Sequence, residues 1–496
     1  MSWNAGLKAT NLPTLFVAKT GQGNAIFATC DDGRTFTYSQ FWSLAGSFAA
    51  RFKLHGAKPG DRIAVQADKS IEALALFWAC ARGGFVFLPL NTAYTAPEVS
   101  YFLGDAEPVF FVMTLARADE MSVIAKAAGC KMCFTLSDDA QGSLLDQLPN
   151  GEFTDHPSTW NDLSAILYTS GTTGRSKGAM LTHENLASNA LALVDIWRFT
   201  GQDRLIHALP VYHTHGLFVA TNTVIFSAGQ LLFRRSFNAD DVMKLMPQAT
   251  AMMGVPTFYT RLLAHEGLTR DATKHMRIFI SGSAPLLVDT HHAFRERTGH
   301  AILERYGMTE TNMNTSNPYD GARRAGTVGF PLPHVEVRVR DGVIEVRGPN
   351  VFKGYWRNPE KTKEDLRDDG FFITGDVGHV DDQGYVVISG RAKDLIITGG
   401  FNVYPKEIEE AIDAMPGVIE SAVIGLPHAD FGEAVTAVVA TRQSLDEKQM
   451  IAQLTVSLAK FKCPRRILFV ENLPRNAMGK VQKAELRKRH AALYVN

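Results

Sequence analysis

Between residues 35 and 130 the apolar positions switch repeatedly between two periods. Stretches with apolar residues three and four apart predict helices. Short apolar runs, such as Arg62-Ile-Ala-Val-Gln66 and Phe85-Val-Phe-Leu88, predict buried strands. This alternation predicts stacked α/β layers. Residues 136–162 break it with a polar, turn-rich stretch that reads as a surface connector. A compact unit follows. Residues 163–168 read as a buried strand, 169–178 as a loop of Gly, Ser and Thr, and a helix starts from Thr182 with Leu186, Ala190, Leu193, Val194 and Trp197 on one face. After about residue 335 the pattern changes to short strands, with a hairpin signal at Asp341-Gly342. Further on, Pro405 opens a helix carrying Ile408, Ile412 and Met415 on one face and stopped at Pro416. Apolar runs 418–426 and 434–440 read as strands, and a last helix at 447–459 precedes a basic tail. The expected fold class is α/β: a large multi-layer N-terminal domain of sheets and helices, then a small α+β C-terminal domain.

Composition narrows the picture. At 496 residues and 45% hydrophobic, the chain has enough material for a core without disulfide or metal staples. Its 51 basic and 51 acidic residues balance, which argues against a nucleic-acid binder or an anionic-membrane binder. Five cysteines are an odd, sparse set that suits a reducing compartment. Cys130 and Cys133 form a lone C-x-x-C with no second pair nearby, which favours two packed thiols over a zinc site. No apolar run reaches the about 18 residues that span a bilayer. The first residues lack the apolar core of a signal peptide. These features together predict a soluble, cytoplasmic protein.

The densest chemistry lies in Tyr168-Thr-Ser-Gly-Thr-Thr-Gly-Arg-Ser-Lys-Gly-Ala-Met180. Gly lets a backbone come close, Thr and Ser hydroxyls donate hydrogen bonds, and Arg175 and Lys177 bring positive charge. That combination suits a polyphosphate. It is not a P-loop, which requires G-x-x-x-x-G-K-[ST]. Counting from Gly171, the sixth residue is Ser176, and Lys177 is followed by Gly178.

This loop resembles the signature of the adenylate-forming superfamily of acyl-CoA synthetases, luciferases and peptide-synthetase adenylation domains. Further motifs follow in the family's order: Ser281-Gly-Ser-Ala-Pro285, Tyr306-Gly-Met-Thr-Glu310, Thr374-Gly-Asp376, Gly390-Arg-Ala-Lys-Asp394, Gly399-Gly-Phe-Asn-Val-Tyr-Pro405 and Pro474-Arg-Asn-Ala-Met-Gly-Lys480. The resemblance implies an enzyme that activates a carboxylate with ATP and passes the acyl-adenylate to a thiol, here CoA. It implies that Thr169, Ser170, Gly171, Thr172, Thr173, Gly174 and Lys177 hold ATP phosphates, with Ser281, Gly282 and Thr309 beside the nucleotide. Tyr306 would stack on adenine next to Glu304 and Arg305, Asp376 would accept from the ribose hydroxyls, and Arg391 would approach ribose and phosphate. Glu310 is a hard oxygen ligand suited to Mg²⁺. Lys480 would bridge the carboxylate and the α-phosphate. The resemblance divides the chain into 1–392 and a mobile domain 393–496, hinged at Lys393. Rotation would withdraw Lys480 and bring Gly399, Gly400 and Phe401 to CoA. Lys460, Lys462, Arg465 and Arg466 are candidates for CoA phosphates, or a solvated basic face.

The acid must be read from the pocket. In Gly254-Val-Pro-Thr-Phe-Tyr-Thr-Arg261, Phe258 and Arg261 fall three apart and share a helix face. Ser283 adds a hydroxyl, and Tyr212-His-Thr-His-Gly216 adds His213 and His215. An Arg aimed into an acyl pocket asks for a second carboxylate. These segments resemble the malonyl-CoA synthetase branch of the superfamily. That implies malonate as substrate, possible use of methylmalonate, Arg261 and Ser283 on the distal carboxylate, His213 as an acyl-site and catalytic residue, and Thr214 and Met308 bordering C2. Two alternatives stay open from the residues alone: a short-chain or aryl monocarboxylate–CoA ligase with Arg261 facing solvent, and a non-catalytic adenylate-binding protein. Neither protein partners nor oligomeric state can be read from the chain.

Overall fold

The computed structural model describes residues 3–169, 176–398, 401–403, 405–428, 431–458, 460–476 and 479–494. Of Lys393, Phe401, Asn402, Gly432, Val456 and Ser457 it describes the backbone alone. The chain forms two compact units. One takes residues 1–337 and 346–372, the other 338–345 and 373–496. No helix among the described residues is long and apolar enough to cross a membrane.

The larger unit is built on two sheets, as the alternation in the sequence predicts. In the six-stranded sheet the order is Met132–Thr135, Phe110–Met113, Arg62–Gln66, Val86–Pro89, Leu163–Thr169, Lys177–Thr182. In the nine-stranded sheet a run of parallel neighbours places Leu303–Met308, Ile278–Ser281, Ala251–Gly254 and Arg204–His207 side by side. Ala251–Gly254 and Ile278–Ser281 are buried along their whole length, as strands covered on both faces should be. Helix Ile71–Gly83 is buried on all sides. Ser70 Oγ caps its start by accepting from Ala73 N at 3.0 Å, and left-handed Gly84 ends it. Phe16 stacks on Trp42 with ring centroids 4.4 Å apart and meets Trp78 edge-on. Each such side chain contributes about 1.5–3 kcal/mol on burial.

One local expectation needs correcting. The Gly-rich loop does not run straight into a helix. Lys177–Thr182 is a strand, paired antiparallel with Leu163–Thr169 in the register Tyr168↔Gly178 and Thr169↔Lys177. The loop is therefore the tip of a hairpin. Helix His183–Ile196 starts one residue after Thr182, whose hydroxyl accepts from Asn185 N while the Asn185 side chain returns to Thr182 N.

The smaller unit contains a four-stranded sheet in which Phe372–Val380 pairs antiparallel with Val386–Arg391. The turn of the preceding hairpin has both Asp341 (φ 51°) and Gly342 (φ 77°) at positive φ, the geometry a tight hairpin demands. A five-stranded sheet contains Val418–His428 and Gly432–Thr441, with helix Pro405–Asp413 packed on Val418–His428. Helix Glu447–Ser457 is not the last. The basic tail forms a further helix, Lys483–His490. Its one buried residue is Leu486, packed with Ala422, Ile424 and Leu426, so its sequence carries no amphipathic stripe.

Candidate active site

The parallel strands of the nine-stranded sheet end together at one edge, and loops after their carboxyl ends carry the predicted acyl-site residues. Such an edge is the usual ligand position in open α/β sheets. Arg204–His207 leads to Tyr212–Gly216, where residues His215–Ala220 form a π-helical turn. Ile278–Ser281 leads to Gly282 and Ser283. Ser283 lies in the left-handed region (φ 71°), a conformation that costs a non-glycine residue about 1 kcal/mol or more. That backbone aims the hydroxyl at His215, with Oγ to Nδ1 at 3.2 Å. His215 is 1% exposed, and its backbone N–H donates to His213 Nδ1 at 3.3 Å. Burial, then the nearby Arg305 and the neighbouring His213 and His207, hold the His215 pKa well below its ordinary value, so this ring is neutral.

The third strand brings Arg305, only 3% exposed. Its guanidinium lies flat over Gly282: a Cβ there would fall 2.3 Å from Arg305 Cζ. Glycine at that position gives the guanidinium room to lie this close to the backbone. Among the described residues, Arg305 Nε and Nη2 have no hydrogen-bond partner, and neither do His215 Nε2 and Ser281 Oγ. Burial pulls the Arg305 pKa down to about 9, which leaves it charged at neutral pH. A buried cation with open donors is costly, and a native structure retains one where something anionic pairs with it. The family resemblance implies Arg305 beside adenine and Arg261 with Ser283 on the distal carboxylate. Here Arg261 is exposed, in the last turn of helix Pro256–Leu263, and Phe258 stacks on Phe237 at 4.1 Å.

Thr214 and Met308 meet through one residue. Thr214 Oγ1 donates to Asn312 Oδ1 at 2.9 Å, and Asn312 is the strand partner of Met308. Gly307 makes this hairpin possible, since a Cβ would sit 1.8 Å from Asn312 O. In the same segment Glu304 and Tyr306 are buried, and Thr309 is half-buried.

Glu310 is 5% exposed. Its Oε1 accepts from the Tyr355 hydroxyl at 3.2 Å, and its carbonyl accepts from Phe352 N at 2.8 Å. Lys177 rises from the hairpin with its ammonium 5.3 Å over the Tyr355 ring. Among the described residues there is no group of three or more His, Cys, Asp or Glu able to cage a metal by itself. A single buried carboxylate still fits Mg²⁺, which is held by one or two carboxylates plus substrate phosphates and water. Cys130 and Cys133 are free and half-buried, and burial raises both thiols, Cys130 to about 12. Of the remaining loop positions, Thr169 closes the hairpin, while Ser170, Gly171, Thr172, Thr173 and Gly174 lie outside the described residues.

In the smaller unit Asp376 and Arg391 are cross-strand partners joined by an ion pair at 2.6 Å, with Asp376 almost fully buried. Lys480 is exposed, at the end of a loop closed by the bridge Arg475↔Val481. Lys480 N donates to Asn476 Oδ1 at 3.0 Å, and Arg475 holds both Glu420 and Gly479 O. Gly399 and Gly400 lie outside the described residues, as do the side chains of Phe401 and Lys393. The Phe401 backbone pairs with Thr398, and Lys393 sits in a 3₁₀ turn, Ala392–Asp394. Two of the candidate CoA-phosphate cations are engaged: Lys462 pairs with Glu407 at 2.7 Å and Arg466 with Glu447 at 2.8 Å.

Comparison with known proteins bears on this arrangement. The family described as "AMP-binding enzyme" matches residues 16–356, and "AMP-binding enzyme C-terminal domain" matches 407–480. The chain is similar to a malonate–CoA ligase of Arabidopsis thaliana, 33% identical with 98% of this chain and 92% of the relative covered. It is equally similar, at 33%, to a feruloyl-CoA synthase of Amycolatopsis sp, with 92% of this chain and 94% of the relative covered. Among solved structures it resembles ATP-bound MatB from Rhodopseudomonas palustris, at 54% identity and a TM-score of 0.94, with 100% of both chains covered.

Proposed function

The chain belongs to the AMP-binding enzymes, and from that premise we propose that it is an ATP-dependent malonate–CoA ligase working through a malonyl-adenylate. The products are malonyl-CoA, AMP and pyrophosphate, and methylmalonate is a second substrate. Similarity favours malonate: relatives named malonate–CoA ligase and the 54% identical MatB structure match the chain along almost its whole length, beside a feruloyl-CoA synthase at 33%. The observation in the site that supports the choice is Arg305, a buried guanidinium with two open nitrogens lying against Gly282, next to Ser283 of the Ser283–His215 pair. Malonate presents two carboxylates. One must react, and the other satisfies Arg305, Ser283 and the neutral His215. Arg261 serves as an outer cation, His213 supports the acyl site through His215, and Thr214 and Met308 limit the size of a C2 substituent. A monocarboxylate would leave Arg305 unpaired, which disfavours the alternative of a fatty or aryl substrate.

Adenylation brings a carboxylate against a triphosphate. Cations must offset that repulsion where charge develops. Lys177 and the phosphate-loop residues serve the β- and γ-phosphates, and Lys480 serves the α-phosphate and the attacking carboxylate. Mg²⁺, held by Glu310 and the phosphates, supplies further charge stabilisation when bound. Tyr306, Glu304, Asp376 and Arg391 hold the nucleoside. In the second step the CoA thiolate attacks the acyl carbon and AMP leaves, with Gly399, Gly400 and Phe401 serving CoA after rotation about Lys393. The test is product identification: wild-type protein with malonate, ATP, Mg²⁺ and CoA should yield malonyl-CoA and AMP in equal amounts. AMP without thioester, or neither product, would reject the ligase reading.

A further inference from the structure

The segment Phe352-Lys-Gly-Tyr-Trp356 belongs to none of the motifs that carry the expected chemistry, yet it touches two of them. It lies along the phosphate-loop hairpin: Met180 N donates to Gly354 O at 3.0 Å, Lys353 N to Met180 O at 3.0 Å, and Trp356 N to Gly178 O at 2.7 Å. Its other side is tied to the Glu310 turn through Phe352 N and Glu310 O. Tyr355 stands where the two meet. It is 5% exposed, its hydroxyl donates to Glu310 Oε1, and its ring lies beneath the Lys177 ammonium. Its own backbone is fixed by Tyr355 N donating to Thr362 Oγ1 at 2.9 Å.

The hydroxyl faces two carboxylates, Glu310 and Asp365, and has one proton to give. Lys361 pairs with Asp365 at 2.8 Å, one turn along helix Pro359–Asp365. The Tyr355 hydroxyl donates to Glu310 Oε1 at 3.2 Å. A hydrogen bond to a ligating carboxylate fixes its orientation and tunes its basicity, and loss of such a partner typically costs 10–100-fold in metal affinity.

We infer that Tyr355 is a positioning residue for the magnesium nucleotide: its hydroxyl orients Glu310 toward the metal, and its ring seats Lys177 against the phosphates. The inference rests on the reading of Glu310 as the Mg²⁺ ligand. ATP binding, measured by calorimetry with and without Mg²⁺ and without any acid or CoA, tests it. In wild type Mg²⁺ tightens ATP binding. In Tyr355→Phe, which keeps the ring and removes only the hydroxyl, the Mg²⁺-dependent gain should shrink about tenfold, with Mg²⁺-free ATP affinity unchanged. The half-saturating Mg²⁺ for AMP formation should rise by the same factor, with the KM for malonate unmoved. Adding Tyr355→Phe to Glu310→Gln should change nothing further, because the group it acts through is already altered. An equal Mg²⁺ gain in wild type and Tyr355→Phe, or an equal loss of Mg²⁺-free binding, would overturn the inference. Failure of wild type itself to bind ATP with Mg²⁺ would overturn both this and the ligase reading.

Discussion

Replacing Arg305 by Met separates the cation from its volume. Met fills much of the same space over Gly282 but offers no charge and no donor. In the bound state wild-type Arg305, itself only 3% exposed, would face a carboxylate. Removing one partner of a buried ion pair costs about 3–5 kcal/mol, because the other charge stays behind unpaired. At 1.36 kcal/mol per decade that is roughly a 10²–10⁴-fold loss of kcat/KM for malonate. Activity on a monocarboxylate such as butyrate should hold or rise, since it no longer leaves a buried cation bare. The free protein should behave oppositely. Its open Nε and Nη2 are a burden on the fold, so Arg305→Met should melt no lower than wild type without ligand. ATP binding without acid should be unchanged. The assay is pyrophosphate release over a range of malonate and butyrate, with thermal melts in parallel. Equal losses for both acids, or a fall in ATP affinity matching the fall in malonate turnover, would show that Arg305 serves the nucleotide, as the family resemblance implies.

Lys480→Ala should lower adenylation about 10²–10³-fold while thioester formation from supplied malonyl-adenylate stays within about threefold. Single-turnover assays of each half-reaction check this, and equal losses would remove the domain-rotation account. His183 bears on acid stability. Burial lowers its pKa from 6.5 to about 4, and the ring accepts from Leu12 N at the start of the first helix. The folded pKa lies below the unfolded one, so the unfolded chain binds more protons between them. Stability is therefore full above pH 6.5 and falls as pH drops toward 4, by roughly 3 kcal/mol in all. Urea unfolding at pH 7.5 and 5 should show that decline in wild type and a smaller one in His183→Gln; identical slopes would place the acid sensitivity elsewhere.

The parts of this molecule that the sequence announces are those with local causes. Alternating periods mark the α/β layers, and Asp341-Gly342 marks a turn that only positive φ closes. The parts it hides depend on distant partners. Lys177–Thr182 is too short and too mixed to declare itself a strand, and pairing with Leu163–Thr169 makes it one. Helix Lys483–His490 has one buried anchor, Leu486, so periodicity is silent. The two candidate arginines are the sharpest case. Arg261 shares a helix face with Phe258, which suggests a pocket; what periodicity does not tell is that Phe258 stacks on Phe237 and that Arg261 is exposed. Arg305 carries a usable signal: it sits in the buried part of strand Leu303–Met308, next to a strand whose end, Ser281, leads directly into Gly282. A cation at such a position must face either a partner or a ligand.

The central claim is that a buried positive charge reads the second carboxylate of the substrate. Its most direct measurement compares kcat/KM for malonate with that for malonamate, which matches malonate in size and keeps one reacting carboxylate but replaces the other by a neutral amide. The account predicts a preference for malonate of about 10³-fold or more, as expected when a site's buried charged partner is left unmet. A ratio within tenfold would contradict it, leaving a CoA ligase whose acid is chosen by shape alone.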